Sequence, residues 1–147
     1  MEIRNVTVAG GGVLGSQIAF QTAFKGLDVT VWLRSEGSVE RAKPKFDRLE
    51  KVYLATLEAM KTNPAAYCRG LAPSPEVSPE DINALKGKAH AALENIRFTT
   101  SYEEAARDAD LVIEAIAEDP AQKTAFYKEL TGYFEIAISG FSREKGR

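Results

Sequence analysis

Three glycines stand at the spacing G-x-G-x-x-G near the start of the chain, at Gly10, Gly12 and Gly15. Val6-Thr7-Val8-Ala9 precedes them, short, apolar and β-branched as a buried strand is. Ser16 to Phe24 follows, with apolar residues at helical spacing until Gly26 stops the run. In a dinucleotide site each glycine serves a different physical need. Gly10 permits the tight turn out of the strand, Gly12 lets a pyrophosphate approach the backbone, and Gly15 lets helix and strand pack closely. Val13 and Leu14 complete the turn, and the free amides and positive dipole end of the new helix face the phosphates. The spacing alone also fits a plain glycine-rich turn. The strand before it, the helix after it and a second strand at Asp28–Leu33 favour the nucleotide site.

The end of that second strand bears on which dinucleotide is held. An acidic residue about 20 positions beyond the glycines would accept hydrogen bonds from the ribose hydroxyls of NAD. This chain has Leu33, then Arg34 and Ser35. A cation and a hydroxyl do not replace a carboxylate as acceptor, but they suit a 2′-phosphate. Residue chemistry therefore expects NADP or NAD, with NADP favoured by Arg34 and Ser35. The alternative is an ordinary charged start to a loop.

Composition bounds the remaining classes. The chain has 147 residues, 44% hydrophobic and 27% charged, which is one domain's worth of ordinary globular sequence. A net charge of −2 argues against a nucleic-acid surface. No apolar run approaches the ~20 residues that cross a bilayer. The first apolar stretch has no cleavage-site pattern of a secretion signal. Cys68 is the single cysteine and His90 the single histidine, so neither a disulfide framework nor a metal cluster is expected. His90 reads as a helix-surface residue, and a cytoplasmic location fits.

The elements that must position the glycines alternate strand and helix. Val39, Ala42, Phe46, Leu49, Tyr53, Leu57 and Met60 fall three or four apart and predict a helix, with Pro44 either starting its regular part or kinking it. After a proline-rich connector, Ser78-Pro79-Glu80-Asp81 reads as N-cap, first-position proline and acidic first turn. The result is a helical pair inserted at about 38–93, which serves either as packing or as a wall for a bulky substrate. Asn95–Thr99 predicts the third strand, Ser101-Tyr102-Glu103-Glu104 a capping box, and Leu111–Ile116 an apolar central fourth strand. Asp119-Pro120 opens another helix with Ala125, Phe126, Leu130 and Phe134 on its buried side, and Glu135–Ile138 follows as a fifth strand. The order argues an α/β, doubly wound parallel sheet of the Rossmann type, with the helical pair between strands two and three. Ligand then lies where strands one and four diverge, between Gly10–Gly15 on one side and Ala115, Ile116 and the stretch to Lys123 on the other.

These residues resemble the N-terminal NAD-binding domain of the 3-hydroxyacyl-CoA dehydrogenases, including the 3-hydroxybutyryl-CoA dehydrogenases. The likeness rests on Val8 to Ala19, on the long helical pair, and above all on Asp108-Ala109-Asp110-Leu111-Val112-Ile113-Glu114-Ala115-Ile116-Ala117-Glu118-Asp119 with Lys123 after it. It covers about residues 3–134. The resemblance implies an oxidoreductase domain whose Glu118 and Lys123 lie beside the cofactor and whose helical pair helps to bind an acyl-CoA. By charge alone, Glu118 and Lys123 are equally a solvated pair at a helix start.

Two departures accompany the match. Family members carry an acid where Leu33 stands, so the resemblance implies NAD while Arg34 and Ser35 lean to NADP. The family's fifth strand leads to a serine-rich turn, a catalytic histidine and glutamate, and a helical C-terminal domain that dimerises. Here Ser139 to Arg147 does not match that stretch, as in a truncated gene product or a shifted reading frame. No catalytic residue is therefore assigned, and the catalytic and dimerisation domain is expected to be absent from these residues. Two classes stay open: a dehydrogenase-like domain that binds dinucleotide and is inactive alone, and a non-catalytic NAD(P)-binding or sensing module. Dinucleotide is the expected partner, with an acyl-CoA and a second copy of the chain as further candidates.

Overall fold

A computed structural model describes the backbone of residues 2–116 and 119–145, and side chains as far as Tyr133. The elements run β1 (Asn5–Ala9), α1 (Val13–Phe24), β2 (Asp28–Trp32), α2 (Glu36–Met60), a 3-10 turn (Pro64–Ala66), α3 (Pro79–Asn95), β3 (Ile96–Thr99), α4 (Tyr102–Ala106), β4 (Leu111–Glu114) and α5 (Pro120–Lys145). The four strands form one parallel sheet in the order β3-β2-β1-β4. Val8 stands opposite Val31 on one side and Ile113 on the other.

Strand alternation divides the side chains between two faces. Val6, Val8, Val29, Val31 and Ile96 bury against Phe20, Phe24, Phe46, Ala89 and Ala92 of α1, α2 and α3. Ala9 and Trp32 bury against Ala105, Ala106, Phe126 and Leu130 of α4 and α5. Thr7 points to this second face, where its hydroxyl donates to the Ala105 carbonyl at 2.6 Å. Helices on both faces of a parallel sheet make the fold doubly wound, as the strand and helix order predicts. At the rim away from the glycines, the Asp110 carboxylate accepts from the amides of Arg4 and Asn5, each at 2.9 Å, which holds its pKa below the usual range.

The helical pair lies on the first face. Its tip carries a smaller core of Leu57, Met60, Leu71, Ala72 and Ile82. Tyr53 sits edge-on to Phe20 and Phe24, and its hydroxyl donates to Gln21, whose amide donates to the Gly70 carbonyl. Burial, followed by the neighbouring Cys68, pushes the Tyr53 hydroxyl up to about 12. Ser78 and Ser101 cap α3 and α4 by accepting from the amides of Asp81 and Glu104.

Three sequence expectations need correction. The helix read from Val39 starts three residues earlier, at Glu36, because Ser35 caps it there, and Pro44 lies inside it. Ala125 is exposed, while Phe126 and Leu130 carry the contact of α5. Glu135–Ile138 is not a strand but part of α5. A strand needs a neighbour to satisfy its backbone, whereas a helix satisfies its own, and no proline interrupts the run from Tyr133 onward. The expected burial of Phe134 falls outside the described side chains. Among the described residues no helix is long and apolar enough to cross a membrane, and no His, Cys, Asp or Glu cluster is placed to hold a metal.

Candidate functional site

The C-terminal ends of β1, β2 and β4 lie side by side, and the ladder continues one residue past them. The Gly10 amide donates to the Trp32 carbonyl at 2.9 Å, and the Ala115 amide donates to the Ala9 carbonyl at 2.8 Å. Gly10 holds a φ of +119°, where side chains are strained, and a Cβ there would strike the Ala115 carbonyl. A Cβ on Gly15 would strike the Gly10 carbonyl and lie 3.4 Å from the Ala115 Cβ. Gly10, Gly15 and Ala115 thus form one backbone contact that joins the two sides of the crevice.

Gly12 differs from both. It is the N-cap residue of α1, in extended backbone, and a Cβ built on it meets nothing within 4 Å. No side chain caps α1, so its first amides, Val13 and Leu14 among them, have no acceptor in the helix. Val13 and Leu14 expose their side chains beside them. Uncapped amides next to open space are the arrangement that suits an anion.

Two neighbours of this turn escape the glycine spacing. Gly11 packs against β2 and α2: a Cβ there would lie 2.6 Å from Leu33 Cδ2 and 2.9 Å from Ala42 Cβ. Its carbonyl accepts from Lys45 Nζ of α2 at 3.3 Å. The motif leaves the residue after its first glycine open, and Lys45 is 34 positions away in sequence, so neither carried a local signal.

At the end of β2, Leu33 turns inward and is buried. Arg34 and Ser35 are exposed. The Ser35 hydroxyl accepts from the Ser38 amide at 3.1 Å and lies 3.0 Å from the Ser38 hydroxyl. Arg41 Nη2 donates to that Ser38 hydroxyl at 3.0 Å. Glu36, the acid in the first turn of α2, accepts instead from the Thr100 hydroxyl at 3.4 Å.

On the far side of the crevice Ala115 and Ile116 are half-buried, and Ile116 packs on the α4–α5 core. Glu118 lies outside the described residues. Lys123, in the first turn of α5, reaches Glu114 at the end of β4, with Nζ 3.4 Å from Oε1. That oxygen is buried and accepts no hydrogen bond among the described residues. The contact is ion pairing without hydrogen-bond alignment. Glu114 is the one charged residue in an apolar strand, a signal the strand reading passed over. His90 is not in the crevice constellation: it sits on α3, with Nδ1 3.0 Å from Glu50 Oε2 of α2.

Residues 5–138 match the family model described as 3-hydroxyacyl-CoA dehydrogenase, NAD binding domain. The chain is 29% identical to a probable 3-hydroxyacyl-CoA dehydrogenase of Caenorhabditis elegans, over 88% of this chain and 35% of that protein. It is 31% identical to a fatty acid oxidation complex subunit alpha of Psychrobacter arcticus, over 89% of this chain and 15% of that one. Among solved structures, a diketoreductase described as acting on dicarbonyl compounds shares 36% identity with a TM-score of 0.66, over 90% of this chain and 38% of that one. The chain therefore spans about a third or less of the length of these curated relatives.

Proposed function

The chain belongs to the 3-hydroxyacyl-CoA dehydrogenase family through its NAD-binding domain, and from that premise we propose that it holds a dinucleotide across Gly10–Gly15 and Ala115 and prefers NADP(H) to NAD(H). The carrying observation is at the end of β2, where Leu33 is buried and Arg34 is exposed beside it. An aliphatic side chain accepts nothing from ribose hydroxyls, whereas a guanidinium grips a phosphate through two parallel donors. Such a contact contributes about 1.5–3 kcal/mol; exposure of Arg34 keeps the expected preference near the lower end, about tenfold. Ser35 adds a hydroxyl while it caps α2. Val13, Leu14 and the amides of the first turn of α1 take the pyrophosphate. Lys123 stands with Ala115 and Ile116 on the opposite side, and the family resemblance adds Glu118 as a cofactor contact there. The bound dinucleotide supplies the hydride chemistry.

A 3-hydroxyacyl-CoA or a related carbonyl compound is the proposed substrate class, with the helical pair as its wall and the cytoplasm as its location. A second copy of the chain is a further proposed partner. These 147 residues bind cofactor without turning substrate over, because their one histidine sits exposed on the helical pair rather than at the C-terminal ends of the strands. A binding or sensing module is the second reading that this same observation favours.

Calorimetric titration with NADP+ and NAD+, followed by an assay of acetoacetyl-CoA reduction with NADPH and NADH, tests the proposal. Tighter NADP+ binding by about tenfold, without turnover, is expected. Equal affinities overturn the cofactor preference, and turnover above the free-cofactor background overturns the assignment of no catalytic residue.

A further inference from the structure

Arg34 alone does not match the charge it would meet. A phosphate monoester carries about −1.5 to −2 at pH 7, and one exposed guanidinium leaves roughly a third to a half of that uncompensated. Two further cations stand nearby on α2. Arg41 and Lys45 are four residues apart and so share one helical face, one turn from each other. Arg41 is tied to the end of β2 through Ser38 and Ser35. Its Nη1 lies against Gly37, where an added Cβ would sit only 3.3 Å away. Lys45 is tied to the glycine turn through the Gly11 carbonyl. The pair therefore spans the distance from the tip of β2 to the residue after the first glycine, which is where the adenosine ribose lies in this kind of site.

Their charges are also uncommitted. Among the described residues neither Arg41 nor Lys45 has a carboxylate within ion-pair distance, whereas Lys43 of the same helix pairs with Glu40, and Lys61 and Lys86 both pair with Glu58. Glu36, two residues after Arg34, is engaged with Thr100, and Glu40, next to Arg41 in sequence, pairs with Lys43. Lys45 spends one of its three donors on Gly11 and keeps two. Arg41 spends one nitrogen on Ser38 and keeps the rest of its fork.

We propose that Arg41 and Lys45 are specificity-determining residues, completing with Arg34 a three-cation seat for a phosphate on the adenosine ribose. The inference rests on the NADP preference proposed above and extends it from one residue to a built seat. It also separates the roles of the cations: those at the ribose act on the 2′-phosphate, whereas the amides of α1 act on the pyrophosphate that both cofactors share.

The test compares Arg41→Gln, Lys45→Gln and the double variant with the parent chain, titrating NADP+, NAD+, 2′,5′-ADP and 5′-AMP. Arg41→Lys and Lys45→Arg retain the charge and serve as rescues. Each neutral variant is expected to bind NADP+ and 2′,5′-ADP about threefold more weakly, with NAD+ and 5′-AMP changed less than about twofold. The charge-retaining variants should recover most of the loss, and the double variant should bind the two cofactors about equally. Far-UV circular dichroism and the urea midpoint should stay those of the parent. Equal weakening of NADP+ and NAD+ would overturn the seat by moving the cations to the pyrophosphate. An unaltered preference in the double variant would overturn it by leaving Arg34 to act alone. Failure of the underlying preference is visible separately, as equal affinities in the parent chain.

Discussion

At the glycine turn, backbone lies against backbone: Gly10 and Gly15 have no room for a Cβ because the Ala115 and Gly10 carbonyls occupy it. At the end of β2, the working groups are exposed side chains held by hydroxyls, Ser35 to Ser38 and Ser38 to Arg41. The first region works by close backbone approach, so an atom added at Gly10 or Gly15 damages it. The second places charge at a surface, where single contacts are individually weak and screened by salt. On the proposed function, steric closeness governs whether a dinucleotide binds and electrostatics govern which one. The two properties should separate under mutation.

Gly10→Ala should have the largest effect, because it joins a strained φ to a clash with the Ala115 carbonyl. A loss of about 2–5 kcal/mol of stability is expected, read from the urea midpoint. A variant as stable as the parent would show that the turn relaxes freely, and the contrast between the regions would lose its basis. Gly12→Val comes next and tells the two functions of the turn apart. Its Cβ meets nothing within 4 Å and its backbone is extended, so the fold should stand while the side chain fills the pyrophosphate seat. Dinucleotide binding should vanish with circular dichroism unchanged, and retained binding would remove the turn from the site. Arg34→Ala should have the smallest effect of the three. It should erase most of the NADP preference, leave NAD+ affinity within about twofold, and weaken the salt dependence of NADP+ binding. A fall in NAD+ affinity as large as that of NADP+ would make Arg34 part of the shared binding surface rather than the discriminator.

Much of this was legible locally. Val6, Val8, Val29 and Val31 announced buried strands through β-branching and short apolar runs, and they fill the core beneath the helical pair. Ser78 and Ser101 announced their helix starts, and their hydroxyls accept the expected amides. The glycine spacing located the turn, and Leu33-Arg34-Ser35 showed where a carboxylate was missing. Glu135–Ile138 failed because four apolar-rich residues satisfy strand and helix periodicity alike, and the choice rested on neighbours that the local pattern does not contain.

The sequence by itself determined the order of strands and helices, the caps and the place of the glycine turn, since each depends on residues within about one helical turn of one another. Only the tertiary structure decided that Lys45 meets Gly11, that Leu33 turns inward against that same glycine, and that Lys123 reaches Glu114. Those contacts join residues on different elements. They arise when Val8 settles between Val31 and Ile113 in a common register, because pairing strands fixes the positions of every helix and loop attached to them.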